Sequence, residues 1–204
     1  MHEISKQAKL NTVSDLKWLS KSEIKERYPE INGFEGLWCP STGIIDSHHF
    51  MECLLADAER HGAMLALKNI VSSIIPLEKS LLVQVFSEDG SCYEIHADHV
   101  FNCAGLSAWE MAKNVKGVEE KFIPKKFFAK GCYFKMSGPS PFNALVYPVP
   151  PHGCLGIHLT LDMDGHARFG PSIEWIENEN YEVSEKQEPM FREAIGTYFP
   201  GIKD

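Results

Sequence analysis

The chain has 204 residues, of which 44% are hydrophobic and 24% charged, and its formal net charge at pH 7 is −8. This length and composition are typical of a soluble globular protein with one large domain or two small ones. The acidic balance argues against a nucleic-acid partner, and neither a membrane-spanning apolar run nor a secretory signal is visible.

Residues 12–30 are predicted to form a helical lead-in, in which Ser20 and Glu23 have the spacing of a capping box. A short strand is predicted over residues 34–39. A helix then follows Asp46, its predicted N-cap, and ends near His61, because apolar residues recur every three or four positions.

A run of short strand patterns follows Gly62, the glycine expected to end this helix. The patterns cover residues 64–67, 70–75, 81–86 and 93–96. The last two flank Glu88-Asp89-Gly90-Ser91, which is a hairpin signal.

Residues 99–110 have the pattern of a buried strand that turns directly into a helix. Ala104 and Gly105 are small residues at the predicted carboxyl end of this strand. Ser107 and Glu110 have capping-box spacing for the helix that follows. In an open α/β sheet, ligands bind beyond the carboxyl ends of the strands, so this stretch is a candidate ligand site.

The second half of the chain has mostly strand patterns, which predict an antiparallel sheet. They cover residues 130–136, 144–149, 155–161 and 167–169. Asp164-Gly165 predicts a tight turn between the last two strands. A final helix is predicted over residues 184–198.

Six cysteines are spread along the chain without a C-x-x-C pair. They are Cys39, Cys53, Cys92, Cys103, Cys132 and Cys154. A disulfide framework is not expected at this length and spacing. We predict buried, reduced thiols in a cytoplasmic protein.

Several short motifs follow one another in a definite order along the chain. They are residues 40–46 (PSTGIID), 62–63 (GA) with 70–71 (IV), 102–105 (NCAG), 130–134 (KGCYF), 147–150 (YPVP), 155–160 (LGIHLT), 163–165 (MDG) and 169–171 (FGP). This ordered set resembles the D-amino-acid-oxidase-type FAD-dependent oxidoreductases, and most closely their L-2-hydroxyglutarate dehydrogenase/oxidase branch. That family begins with a Gly-x-Gly-x-x-Gly turn that binds the FAD pyrophosphate, a motif absent from these 204 residues. The chain therefore resembles an internal fragment of such an enzyme.

The resemblance implies an α/β (α+β) fold in which part of an FAD/NAD(P)-binding domain is joined to a substrate domain. The substrate domain is expected to hold a mixed, largely antiparallel sheet. We expect a helical lead-in and the start of the substrate domain in residues 1–45, the partial FAD-binding domain in 46–116, and the remaining substrate domain in 117–204.

FAD is the cofactor that the resemblance implies, and it implies contacts to FAD from several short segments. The implied cofactor-binding residues are Ile70, Val71, Cys103, Ala104, Gly105, Leu106, Gly131, Gly170 and Pro171. Ile70 and Val71 would contact the adenine through their backbone. For each segment an ordinary alternative stays open, either a plain core strand or a tight turn without a ligand.

His158, Tyr147 and Tyr133 are the catalytic candidates. A histidine with a near-neutral pKa is the usual acceptor for the hydroxyl proton of a 2-hydroxy acid. His158 is predicted to point to the sheet face opposite Ile157 and Leu159. Tyr147 could bind the substrate carboxylate. A structural role remains open for all three candidates.

The function implied is oxidation of a small 2-hydroxy acid, such as L-2-hydroxyglutarate, to the 2-oxo acid by hydride transfer to FAD. One alternative is an amino-acid or amine oxidase of the same superfamily, and another is a truncated, inactive binding module. The expected partners are this small-molecule substrate and a peripheral electron acceptor, without nucleic acid or a transmembrane segment. No metal site is predicted, because Asp162-x-Asp164-Gly165 lacks the rest of a calcium-loop pattern.

Overall fold

The computed structural model describes residues 1–150 and 156–203. The chain divides into two compact units, one formed by Met1–Phe50 with Phe128–Asp204 and the other by Met51–Phe127. Among the residues described, we find no helix with both the length and the apolar character needed to cross a bilayer.

The N-terminal part of the first unit is more varied than the predicted helical lead-in. Its elements are α1 (His2–Leu10), β1 (Lys17–Ser20), α2 (Lys21–Arg27) and β2 (Glu35–Trp38). The prediction of one helical stretch over 12–30 is wrong, because Lys17–Ser20 pairs antiparallel with β2. The capping box is confirmed: Ser20 N donates to Glu23 Oε2 at 2.8 Å and Glu23 N donates to Ser20 Oγ at 3.4 Å.

The third helix, α3 (Ser47–Arg60), begins as the sequence predicts. Asp46 Oδ1 accepts the backbone N–H groups of His48 and His49, each at 3.1 Å, which is the bonding of an N-cap. Gly62 follows the helix with φ +92°, a left-handed conformation that favours glycine.

The second unit contains a three-stranded antiparallel sheet. Its strands are β3 (Asn69–Pro76), β4 (Leu81–Ser87) and β5 (Cys92–Ala97), in the order β3-β4-β5. Val83 and Val85 alternate into a small core, as the period-two pattern predicts. A short helix, α4 (Ala108–Lys113), leads to Val115, which forms a parallel bridge with Ile74 of β3.

Two predicted strands of this unit are not formed. Residues 99–104 have no strand structure, and Phe101 is 86% exposed rather than buried. Residues 64–67 are likewise irregular, and Met64 is 93% exposed. A buried strand needs hydrogen-bonding neighbours, and the described residues supply none for these two segments. The predicted capping box at Ser107 is also wrong, because its side chain makes no cap hydrogen bond.

The C-terminal part of the first unit holds the remaining strands and the last helix. They are β6 (Phe128–Lys130), β7 (Phe134–Lys135), β8 (His158–Leu161), β9 (Ala167–Gly170), β10 (Glu174–Ile176) and α5 (Glu188–Gly196). β9 lies between β7 and β8, and β6 pairs with β10, all antiparallel. The sequence predicted an antiparallel sheet here but missed β10.

Some predicted boundaries in this part were too long. The strand expected over 130–136 is split between β6 and β7. Of residues 144–149, only Val146 pairs, in a single bridge with Leu159. The final helix α5 is preceded by a 3₁₀ turn at Glu185–Gln187, and another 3₁₀ turn, Pro200–Lys203, follows it. The beginning of the strand expected over 155–161 and the cysteine at 154 involve positions outside the described residues.

The core of the first unit lies between α5 and one face of the β7-β9-β8 sheet. Its buried members are Phe142, Ile157, Leu159, Ala167, Phe169, Phe191, Ile195, Tyr198 and Phe199. Phe134 of β7 packs on Phe191 of α5 with ring centroids 4.6 Å apart. Because side chains alternate along a strand, the residues between these core residues must point to the opposite face of the sheet.

The cysteines fit the prediction only in part. The five within the described residues carry thiols rather than disulfides. Cys132 alone among them is buried, whereas Cys53, Cys92 and Cys103 are exposed. The expectation of burial fails for Cys103 because the strand predicted around it is not formed.

Candidate active site

The β7-β9-β8 sheet has one apolar face and one polar face. Leu159 of β8 is fully buried and is the cross-strand partner of Phe169, so both point into the core. Their neighbours must point to the opposite face, because side chains alternate along a strand. This opposite side, which we call the polar face, carries the side chains of His158, Thr160, Arg168 and Lys135.

His158 lies in the middle of a row of contacts on the polar face. It is the cross-strand partner of Gly170 in β9. On its other side, the bridge between Val146 and Leu159 brings Tyr147 alongside, and the Tyr147 and His158 rings stack with centroids 4.3 Å apart and 23° between their planes. His158 is therefore 8% exposed although it lies outside the core cluster.

The row continues through Gly170 to Tyr133. Gly170 has φ +150°, and a Cβ placed on it would lie 2.7 Å from both Tyr133 Cδ1 and the Cys132 carbonyl oxygen. Because cross-strand partners point to the same face, the Tyr133 ring takes up the space opposite His158 that a side chain at residue 170 would fill. The structure thus brings together Tyr133, Tyr147 and His158, which the sequence proposed separately.

Backbone and side-chain hydrogen bonds fasten the Tyr133 segment to the segment after β9. Ser172 N donates to the Cys132 carbonyl at 3.0 Å, and Cys132 N donates to Ser172 Oγ at 3.2 Å. Gly131 lies against Pro171, since a Cβ on Gly131 would be 3.0 Å from Pro171 Cβ. Gly131, Gly170 and Pro171 therefore lie in the same cluster as the catalytic candidates.

The environment of His158 favours its neutral form. Burial lowers the pKa of the imidazole, and this effect outweighs a hydrogen bond with the Gly156 carbonyl that acts in the opposite direction. The Nδ1 atom lies 3.3 Å from that carbonyl oxygen. A buried imidazole that stays neutral near pH 7 is suited to accepting a proton.

Further along the polar face is a charged cluster. Asp162 Oδ2 lies 3.4 Å from Lys135 Nζ and 3.5 Å from an Arg168 guanidinium nitrogen. Asp162 Oδ1 accepts the backbone N–H of His166 at 2.8 Å, and this bond is the main reason that the pKa of Asp162 is lowered to about 2.

Three residues of this cluster lie close enough together to be considered as metal ligands. Ligand atoms of Asp162, Asp164 and His166 lie within 4.8 Å of one another. However, the Asp162 carboxylate already accepts backbone N–H groups and lies beside two cations. Its oxygens are therefore occupied by hydrogen bonds and ion pairs.

The other predicted cofactor residues lie in the second unit. Ile70 and Val71 are in β3, an edge strand, next to a β-bulge between Val71 and Ser73. Edge strands expose backbone N–H and C=O groups, which suits the backbone recognition expected of these two residues.

The segment from Cys103 to Leu106 offers an exposed backbone. Gly105 has φ +56°, and nothing lies within 4 Å of the position that its Cβ would take. Cys103 and Ala104 are exposed beside it. This open space at a left-handed glycine is compatible with the close approach of a dinucleotide.

Sequence reasoning missed the residues that fasten the cluster. Ser172 also donates a hydrogen bond to Gln187 Oε1 at 3.0 Å, and neither residue carries a motif that would have marked it. Arg168 could have been placed on the face of His158 by counting alternate positions once the strand pairing was known. Lys130 Nζ donates to the Glu182 carbonyl at 3.2 Å and lies 3.5 Å from Glu174, which gives it a structural role.

The whole chain matches one known protein family. Residues 1–204 match the family described as DAO, FAD dependent oxidoreductase. A solved structure of glycine oxidase from Geobacillus kaustophilus superposes with a TM-score of 0.65 at 14% identity, covering 99% of this chain and 52% of that chain. At 14% identity, this superposition shows that the two chains share a fold.

Curated relatives extend the comparison. The chain is 32% identical to the mitochondrial L-2-hydroxyglutarate dehydrogenase of Arabidopsis thaliana, over 95% of this chain and 48% of the relative. It is 30% identical to the L-2-hydroxyglutarate dehydrogenase of Escherichia coli K12, over 76% of this chain and 36% of the relative. The chain thus spans less than half of the length of these two relatives.

Proposed function

Because the chain belongs to the DAO family of FAD-dependent oxidoreductases, we propose that it contributes the substrate-oxidising face of an enzyme acting on a small 2-hydroxy acid such as L-2-hydroxyglutarate. The observation that carries this proposal is the buried His158 on a polar sheet face, where its ring stacks on Tyr147 and burial lowers its pKa. The names of the curated relatives support the same substrate class. We assign the activity to the complete protein, since the chain spans less than half of those relatives.

Oxidation of a 2-hydroxy acid removes the hydroxyl proton and a hydride from the α-carbon. Bound FAD would supply the acceptor for the whole hydride, and loss of the hydride together with the hydroxyl proton leaves the 2-oxo acid. His158 is the residue that would accept the hydroxyl proton, because its imidazole is kept neutral by burial. Tyr133 is a second candidate for substrate contact, supported by its position against Gly170, the cross-strand partner of His158.

Two segments would contact FAD through their backbone. In the second unit, Ile70 and Val71 offer the backbone of an edge strand, and residues 103–106 offer an exposed turn at a left-handed glycine. In the first unit, the space beside Gly131 and Gly170 is filled by Pro171 and by the Cys132 carbonyl and Tyr133 ring, so these glycines serve the packing of their own segments.

The decisive test is turnover by the complete protein. We expect oxidation of L-2-hydroxyglutarate to exceed that of sarcosine, glycine and D-amino acids. We expect His158→Gln to lower kcat by about 10²–10⁴-fold, the range for loss of a general base, while bound flavin is retained. His166→Gln is the matched control, because His166 is a histidine bonded to Asp162 and is not part of the catalytic cluster.

Two results would contradict the proposal. Preferential turnover of an amine or amino acid would make the protein an amine oxidase of this family. Unchanged turnover in His158→Gln would remove this residue from the mechanism.

A further inference from the structure

The imidazole of His158 is held in one orientation. The Gly156 carbonyl lies 3.3 Å from Nδ1, and the Tyr147 ring covers the imidazole with 4.3 Å between centroids. Each contact is formed by a chain segment that is itself bonded to β8 or continuous with it. The carbonyl therefore restrains the imidazole within the plane of its ring, and the Tyr147 ring restrains it perpendicular to that plane.

The Gly156 contact selects a tautomer. A backbone carbonyl can only accept a hydrogen bond, so Nδ1 must carry the hydrogen when the two atoms are bonded. A neutral imidazole has one N–H, and Nε2 is then left with a free lone pair. The base in the proposed reaction is therefore Nε2.

Tyr147 contacts His158 through the flat surface of its phenol ring. The two planes are 23° apart, which is a stacked arrangement. The position of Tyr147 is fixed by its neighbour, because Val146 N donates to the Leu159 carbonyl at 3.1 Å and Leu159 N donates to the Val146 carbonyl at 2.9 Å. Stacking needs the ring, and the phenol hydroxyl takes no part in it.

We propose that Tyr147 is a positioning residue: by ring stacking it keeps the His158 imidazole in the orientation in which Nδ1–H donates to the Gly156 carbonyl, and Nε2 is left as the proton acceptor. This inference rests on the proposed function for its catalytic meaning. It differs from the expectation that Tyr147 binds the substrate carboxylate through its hydroxyl, because the two roles make opposite predictions for phenylalanine at this position.

The other charged and titratable groups near His158 affect its pKa equally in all variants of Tyr147. Arg168 of β9 is the diagonal neighbour of His158, and Lys135 of β7 lies beside Arg168 in the register. Asp162, after β8, is within 3.5 Å of both cations. Tyr133 adds a phenol on the Gly170 side. Since none of these residues is changed, a shift in the pKa of His158 between variants reports the Tyr147 ring.

The first experiment measures the tautomer directly, without cofactor or substrate. The chain is labelled with ¹⁵N-histidine, and His158→Gln identifies the His158 signals by their loss. We expect the Nδ1–H form in the wild type and in Tyr147→Phe. In Tyr147→Ala we expect a mixture of tautomers and a pKa raised towards the ordinary histidine value, because water reaches the ring.

The second experiment uses kinetics of the complete protein. We expect Tyr147→Phe to retain far more of the wild-type kcat than Tyr147→Ala, because the phenylalanine ring still stacks on His158. We expect Tyr147→Ala to lower kcat about tenfold or more and to move the acidic limb of the kcat/KM profile to higher pH. Should Tyr147→Ala fail to fold, Tyr147→Leu keeps the apolar volume without a flat ring and gives the same comparison.

Three results would overturn the inference. One is an Nε2–H tautomer in the wild type, and another is a tautomer that does not change when the ring is removed. The third is a loss of activity in Tyr147→Phe as large as in Tyr147→Ala, which would assign the role to the hydroxyl. If the complete protein oxidises no 2-hydroxy acid, the proposed function fails, while the tautomer measurement still decides the role of Tyr147.

Discussion

Gly170 decides the local geometry of the candidate site. A methyl group at this position would meet the Cys132 carbonyl and the Tyr133 ring, each at 2.7 Å. The ring could move, but the carbonyl belongs to a segment fastened by two hydrogen bonds to Ser172. A glycine here therefore allows the Tyr133 ring to pack directly against the cross-strand partner of His158.

We expect Gly170→Ala to destabilise the protein by about 1–3 kcal/mol beyond the cost of its backbone conformation, because the new methyl group overpacks the site. Gly165→Ala is the matched control, since Gly165 has φ +81° and open space around its Cβ position. Urea unfolding midpoints measure the difference. Equal midpoints for the two variants would mean that the Tyr133 segment gives way easily.

Gly105 makes a second prediction, this time about the cofactor. We expect Gly105→Ala to lower the FAD content of the complete protein, because a Cβ would enter the open space through which we propose that the dinucleotide approaches. Gly90→Ala controls for backbone strain, since Gly90 also has a positive φ and open surroundings. Flavin absorbance per protein is the measurement, and equal flavin content in both variants would exclude Gly105 from the FAD site.

Asp162 predicts a dependence of stability on pH. Its folded pKa of about 2 lies below the unfolded value of 3.8, mainly because of the bond from His166 N, so its contribution is present above the unfolded pKa and is lost as pH falls towards 2. We expect Asp162→Asn to be less stable than wild type near neutral pH. The difference should shrink between about pH 4 and about pH 2 in paired denaturation curves. A difference independent of pH would show that charge is not its source.

At the scale of elements, side chains alternate along the strands of the β7-β9-β8 sheet. Those on one face pack in the core, and those on the other face form the candidate site. Leu159 faces the core, and the adjacent Thr160 is on the polar face. We expect Leu159→Ala to cost about 2–5 kcal/mol, as for other fully buried leucines, and Thr160→Ala to cost far less. Thermal unfolding of the two variants tests this, and similar losses would argue against the assignment of faces.

Local signals in the sequence predicted many elements correctly. The caps at Ser20 and Asp46 and the alternation in β4 depend on neighbours only a few residues away. The strand predicted over 99–103 failed because strand formation depends on pairing partners distant in sequence. For the same reason, the sequence suggested Tyr133, Tyr147 and His158 individually, and the pairing register was needed to bring them together.

At the scale of the whole molecule, the apolar stripe of α3 stands out. Phe50, Met51, Leu54 and Leu55 lie on one side of this helix and are 36–57% exposed. Val100 and Phe101 are also exposed. An exposed apolar stripe along a helix favours association in water.

We therefore expect the isolated chain to bind a hydrophobic dye and to self-associate at micromolar concentration. Leu54→Lys should reduce both effects, because it places a charge in the stripe. Ala56→Lys adds the same charge on the other side of the helix and should change neither. Sedimentation velocity measures association, and a monomeric, dye-free wild-type chain would contradict the expectation.

The alternation of the central sheet has a consequence for engineering. Thr160, Arg168 and Lys135 lie on the polar face, and none of them belongs to the core cluster. A combinatorial library at these positions should therefore yield mostly folded variants while it samples different charges and shapes beside His158. Selection from such a library could diversify the substrate range of the proposed enzyme without first engineering extra stability.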